Sequence, residues 1–366
     1  MTRKTAAVIC PGRGTYTKTE LGYLHKHRPS IGPFLGGLDH WLKERGEPSV
    51  SELDNAAKFS LKTHTPGEFA STLIYACSAA DFMAIDRDRF EIVAVTGNSM
   101  GWYTALALAG AVRGEQALQL IHGMGSMMKK GVIGGQLIYP LVDSEWRRDP
   151  KQVAVVEKAI ADVGRLPGAE VHASIHFGGY AILGGNELAL GTLMKALPSV
   201  EDGKYPFILV NHAAFHTPLM QATSEQAYRD LGLELFERPD LPLVDGRGVI
   251  WQPYSTDLSE LRDYTLGHQV VATYDFSRAL TVTLKEFAPD VLILLGPGTA
   301  SGGAIGQTLV ENHWWNITSK ADFSMRQSKD PVLLAMGREE QFKMAATIRE
   351  SDGQQSDCGC LGGFPE

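Results

Sequence analysis

Cysteine is scarce in this chain: Cys10, Cys77, Cys358 and Cys360 are the only four in 366 residues, and all but the last pair lie far apart. That is not a disulfide framework, and Cys358-Gly-Cys360 reads as an incidental pair in a polar, Gly-rich tail, Glu350–Glu366. Long apolar runs are missing too. None reaches the roughly 18 residues of a membrane span, and Ala6–Cys10 is too short for a signal-peptide core. Cationic excess is also lacking, since the net charge is −8, which argues against nucleic acid and against a basic membrane-surface protein. These absences lead to the expectation of a soluble, cytoplasmic protein. His25, His27 and His40 have no carboxylates at ligand spacing, so no metal site is expected and the three are read as surface histidines.

What is present is a sizeable apolar fraction. With 44% hydrophobic residues, 366 residues can bury one large core plus a smaller insertion. The stretch Phe90–Val112 organises the rest: a β-branched run (Ile92, Val93, Val95), then Gly97-Asn98-Ser99-Met100-Gly101, then an Ala/Leu-rich helical run. Strand, sharp turn and helix are the context a G-x-S-x-G nucleophile elbow requires, with Ser99 at the tip and the free N–H groups of a helix start beside it. A bare G-x-S-x-G also fills plain turns, so the motif needs a base elsewhere in the chain. Upstream, Lys4–Cys10 reads as a buried strand and Pro11-Gly12-Arg13-Gly14 as the loop that follows it, at the sheet edge where open α/β folds bind ligands.

Downstream, Gln136–Val142, Pro150–Val163, Glu170–Leu183, Glu187–Leu197 and Pro206–Val210 alternate strand and helix, a small α+β unit of ferredoxin-like type. The fold class expected is α/β: a large α/β-hydrolase-like domain with a mostly parallel sheet (residues 1–135 and 211–320), an inserted ferredoxin-like subdomain (136–210), and a partly flexible C-terminal extension (321–366). The segment Asn211–Met220 offers two histidines at a strand-to-helix junction, and either His212 or His216 can serve as the base. Leu266-Gly-His-Gln269 precedes an amphipathic helix, and Gly296-Pro297-Gly298 closes another strand at the same edge.

The order of these pieces resembles the malonyl-CoA:acyl carrier protein transacylase family, including the acyltransferase domains of fatty-acid and polyketide synthases, over roughly residues 5–310. The resemblance implies that Ser99 is the nucleophile and that His216, ending Ala213-Ala214-Phe215-His216, is the base. It implies further that the main-chain carbonyl of Gln269 orients that histidine, and that the N–H groups of Met100 and Arg13 form an oxyanion hole worth about 3 kcal/mol per donor. Acyl-CoA and an acyl carrier protein are the implied partners, with no cofactor beyond the CoA thioester substrate. Three departures bear on the acyl group. Arg13 stands where the family has glutamine, Asn98 where it has histidine, and His122 at the position matched to the arginine that forks the malonyl carboxylate. These three and Phe215 are the expected substrate-binding residues. Loading of malonyl or a related dicarboxylate leads the readings narrowly. An acetyl-type monocarboxylate, hydrolysis of the thioester by water, and a non-catalytic carrier-binding role stand beside it. Lys129-Lys130 and Arg147-Arg148 are the candidate carrier-docking pairs.

Overall fold

Eleven strands form two sheets in the computed structural model, which describes residues 2–129 and 131–347. In chain order they are β1 (Lys4–Cys10), β2 (Phe90–Gly97), β3 (Gly135–Pro140), β4 (Val171–Phe177), β5 (Tyr180–Gly185), β6 (Phe207–Ile208), β7 (Leu243–Val244), β8 (Ile250–Trp251), β9 (Tyr274–Asp275), β10 (Val291–Leu294) and β11 (Leu333–Ala335). The larger sheet has the order β11-β10-β1-β2-β7-β8, and every pairing in it is parallel except β7 with β8. Ala6–Cys10 and Val291–Leu294 are buried throughout, as expected of central parallel strands covered on both faces. Because β1, β2 and β10 run the same way, the loops after them meet at one edge of the sheet. Those loops are Pro11–Gly14, the elbow, and Gly296–Gly298.

The second sheet has the order β6-β3-β5-β4-β9. Its first four strands are antiparallel and, with the helices Pro150–Val163 and Glu187–Ala196 between them, make the βαββαβ ferredoxin-like arrangement. It has its own small core, in which Leu137, Tyr139 and Leu183 pack against Val156, Leu190 and Leu193. The segment Glu170–Leu183 is thus two strands, joined at Gly178-Gly179. Strand β9, contributed by the large domain, adds to β4 in parallel and ties the two sheets together.

Three sequence expectations need correction. The stretch after residue 320, expected as a partly flexible extension beyond the large domain, joins the main sheet over its described part. Lys320–Lys329 and Glu339–Ala345 are helices, and the apolar run around Leu333 pairs with β10 and completes the edge of the main sheet. The tail with Cys358 and Cys360 lies outside the described residues. His27 is buried, not superficial: its Nε2 lies 2.7 Å from Asp81 Oδ1, while His25 and His40 are exposed. Asp81, also fully buried, accepts from Tyr23 Oη at 2.6 Å and from the Gly296 amide at 2.7 Å, and so pins the Gly296–Gly298 turn to the buried helix Gly67–Ala84. The third correction, at His122, belongs with the site below. No helix among the described residues is long and apolar enough to cross a membrane.

Candidate active site

The elbow is sterically over-determined. A Cβ at Gly97 would sit 2.2 Å from Gly101 O, and one at Gly101 would sit 2.4 Å from Cys10 O, so the turn closes only with glycine at both places. Between them Ser99 holds φ +55°, a left-handed conformation that an L-residue keeps only when its surroundings enforce it. Its hydroxyl stands at the start of the helix Gly101–Leu108, and neither the Met100 amide nor the Arg13 amide donates to an acceptor among the described residues. Unpaired N–H groups at a helix start are the kind of donor that can take up a developing negative charge.

His216 reaches this hydroxyl from the other side of a cleft. Its Nε2 lies 2.7 Å from Ser99 Oγ. The loop carrying it is held by the subdomain, since Gln136 Nε2 donates to Ser174 Oγ and Ser174 Oγ donates to Phe215 O, each at 2.7 Å. The third element is the helix end at Gln269–Val271, which follows a widened π-helical turn at Tyr264–His268. A helix that stops there leaves its last carbonyls without intrahelical donors. Val270 O takes the His216 amide at 3.0 Å, and Gln269 O takes His216 Nδ1–H at 2.5 Å. A carbonyl can only accept, so the proton resides on Nδ1 and the Nε2 lone pair faces the serine. Burial pushes the His216 imidazole down to about 4, opposed by the Gln269 carbonyl, so it is a neutral acceptor near pH 7.

Gln269 does more than lend its carbonyl. Its side-chain Nε2 donates to Ser99 O at 3.1 Å, and its Oε1 accepts from the buried Tyr103 hydroxyl at 2.7 Å. One residue thereby holds both His216 and the elbow's backbone. Tyr274 Oη donates to Gly97 O, and its ring packs 5.3 Å from that of His216, so β9 buttresses both halves of the array.

A cavity of about 50 Å³ adjoins Ser99, lined among others by Arg13, Ser71, Met124, Gly125, Phe215 and Val270. Of the expected site residues, Ser99, Met100, Arg13, Phe215, His216 and Gln269 come together here. Arg13 stacks over Phe215 at 5.6 Å, and its Nη2 donates to Thr65 O at 2.9 Å and Asn211 O at 3.2 Å. Asn98 is buried with Oδ1 unpartnered but does not line the cavity. His212, the other candidate base, instead holds Val210 O with Nδ1 at 2.9 Å.

His122 is not at the cavity. It lies edge-on to Trp41 at 5.4 Å, burial pushes its pKa down, and the residues of its helix that line the cavity are Met124 and Gly125. The physical reason is helical phase: two residues turn a helix by about 200°, so a two-residue shift exchanges opposite faces. The buried stripe Leu120, Ile121, Met124 carried the signal, because Met124 keeps its three- to four-residue spacing and His122 does not. Tyr103 and Ser71 were also missed, one lying within a helix that is buried all round and the other on one. The docking candidates are largely engaged: Lys129 pairs with Glu47 at 2.8 Å and Arg147 with Asp143 at 3.3 Å, while Lys130 lies outside the described residues.

No protein-family model matches the chain. A type I polyketide synthase of phenolphthiocerol synthesis, Pks15/1, from Mycobacterium marinum is 24% identical over 307 residues, 83% of this chain. The chain spans only 13% of that relative's length. Solved structures agree over nearly the whole chain. A malonyl CoA-acyl carrier protein transacylase from Coxiella burnetii superposes with TM-score 0.70 at 16% identity, covering 93% of this chain and 96% of its own. The fold is that of the malonyl-CoA:acyl carrier protein transacylases. An acyl carrier protein S-malonyltransferase from Vibrio cholerae gives TM-score 0.67 at 20% identity, covering 84% of this chain and 94% of its own. A further transacylase-fold match is a malonyl-transacylase in complex with a type II polyketide synthase acyl-carrier protein. It has TM-score 0.70 at 17% identity and covers 94% of this chain and 99% of its own.

Proposed function

We propose that this protein is an acyltransferase that moves an acyl group from a CoA thioester to the thiol of an acyl carrier protein, through an ester on Ser99. The observation that carries the reading is the continuous array Ser99 Oγ, His216 Nε2, His216 Nδ1 and Gln269 O, with spacings of 2.7 and 2.5 Å at its two contacts. Ser99 Oγ attacks the thioester carbonyl while its proton passes to His216 Nε2. The oxyanion settles on the Met100 and Arg13 amides, the C–S bond breaks, and the imidazolium returns the proton to the departing CoA thiolate. In the second half-reaction His216 takes the proton of the carrier's thiol, sulfur attacks the ester carbonyl, and Ser99 leaves with that proton. The carrier complex of a protein with the same fold supports such an acceptor.

Intact-protein mass spectrometry after incubation with acyl-CoA thioesters tests the reading. One acyl adduct is expected on the native chain and none on Ser99→Ala, and added phosphopantetheinylated carrier should take the adduct over. Release of free acid at a rate indifferent to the carrier would identify a thioesterase instead. Failure of Ser99 to react with a fluorophosphonate would return the chain to a non-catalytic role.

A further inference from the structure

The walls of the acyl cavity also bear on what it holds. An anionic group at the far end of an acyl chain, once buried, needs a cation with hydrogens to spare, because an unpaired buried charge is strongly disfavoured. Among the described residues Arg13 is the one cationic side chain lining the cavity. Both hydrogens of its Nη2 are committed to Thr65 O and Asn211 O, and although Nε and Nη1 keep theirs, the buried Glu68 already offsets its charge, so the guanidinium has no uncompensated charge to give a second carboxylate. On the opposing helix the cavity-facing side chain is Met124, an apolar thioether, and His122 is turned away.

Depth is restricted as well. The helices Gly67–Ala84 and Gly114–Ser126 cross at Gly67 and Gly125 so closely that a Cβ on Gly125 would lie 2.4 Å from Gly67 O and 2.7 Å from Ser71 Oγ. This crossing is backbone against backbone, so it cannot yield as a flexible side chain would. The wall at Gly125 is therefore fixed, and the space of about 50 Å³ is that of a few water-sized groups. Ser71, 1% exposed, lines that space, and its Oγ is the only unpartnered side-chain polar atom there among the described residues.

We infer that the cavity selects a short, uncharged acyl group of two to three carbons over a malonyl-type half-acid, with Met124 as the residue that excludes the carboxylate and the Gly67–Gly125 crossing as the stop on chain length. The inference rests on the acyl-serine reading above and deepens it. Ser99 still exchanges its O–H for an O–C bond as the C–S bond of the thioester breaks. Only the group on that carbonyl is specified.

The test compares initial rates of Ser99 acylation by acetyl-CoA, malonyl-CoA and octanoyl-CoA on the full chain, read by intact mass. Acetyl-CoA is expected to react at least about tenfold faster than malonyl-CoA, and octanoyl-CoA to leave no adduct. Met124→Arg should raise malonyl transfer by about tenfold or more and lower acetyl transfer, since a guanidinium fork then meets the carboxylate. Malonyl acylation of the native chain equal to or faster than acetylation overturns the inference and leaves the acyltransferase reading standing, whether or not the Met124 variant folds. So does octanoylation at the acetyl rate. Absence of every adduct, with Ser99 still labelled by a fluorophosphonate, overturns the CoA-thioester reading itself and the inference with it.

Discussion

The titration of His216 offers the sharpest check on the site. Its ring is 3% exposed, has no carboxylate partner among the described residues, and rests against Tyr274 and Phe215 with Nδ1–H on the Gln269 carbonyl. Desolvation dominates, and the pKa falls from 6.5 to about 4. At pH 5.5 an ordinary histidine is only about 9% neutral, whereas one titrating near 4 is about 97% neutral, so the two cases differ by about tenfold in available base. Inactivation of Ser99 by a fluorophosphonate, which does not itself titrate here, is therefore expected to hold constant from pH 8 to about 5 and to fall with midpoint near 4. Stability should follow the same linkage. Because the folded pKa lies below the unfolded one, the unfolded chain binds more protons between pH 6.5 and about 4, so this contribution is complete above 6.5 and is lost as pH falls through that window. Its ceiling is about 3 kcal/mol for the site, read as the difference in urea midpoints between the native chain and His216→Gln, a comparison that cancels the parallel titration of His212. A kinetic midpoint near 6.5, with no pH dependence in that difference, would refute a buried, neutral base.

Two further substitutions probe the frame around the base. Gly101→Ala should destabilise the chain by about 1–3 kcal/mol and abolish Ser99 labelling, because the new Cβ meets the backbone oxygens of Cys10 and Pro11 at 2.4 and 2.7 Å. Equilibrium unfolding with labelling kinetics checks this, and a stable, active variant would show that the elbow is not sterically closed. Tyr103→Phe leaves Gln269 Oε1 buried and unpaired, at a cost of about 1–3 kcal/mol, and should lower kcat with KM little changed. Unaltered stability and kcat would mean that the Gln269 side chain does not hold the elbow in place.

Sequence carried the architecture wherever the signal was local. Ala6–Cys10 of β1 and the whole of β10 are uninterrupted apolar runs, and Gly97 meets its steric demand at Gly101, within the five residues of the elbow. Features decided by distant partners were opaque. His25-Lys26-His27 looks like a polar surface segment, and only Asp81, 54 residues away, makes His27 internal. The strand Leu333–Ala335 has three residues, too few to show a period, and exists because β10 has a free edge. The cavity wall failed on phase, since His122 and Met124 are two positions apart and point opposite ways. The role of Gln269 entered only through family resemblance, because a main-chain carbonyl leaves no mark in the choice of side chain.

The same low-pKa histidine bears on which acceptor resolves the proposed acyl-serine. A base whose conjugate acid titrates near 4 is weak, and general-base assistance falls off as the proton to be removed becomes less acidic. A thiol, with pKa about 8.5, lies within reach of such a base, whereas water, near 15.7, depends far more on its strength. A carboxylate on Nδ1 would raise the imidazole and favour water, but the Gln269 carbonyl carries no charge with which to do so. Orientation of the base by a neutral backbone group thus disfavours hydrolysis and favours a thiol acceptor, and the physical case for transfer rests on the residue behind His216 as much as on the serine in front of it.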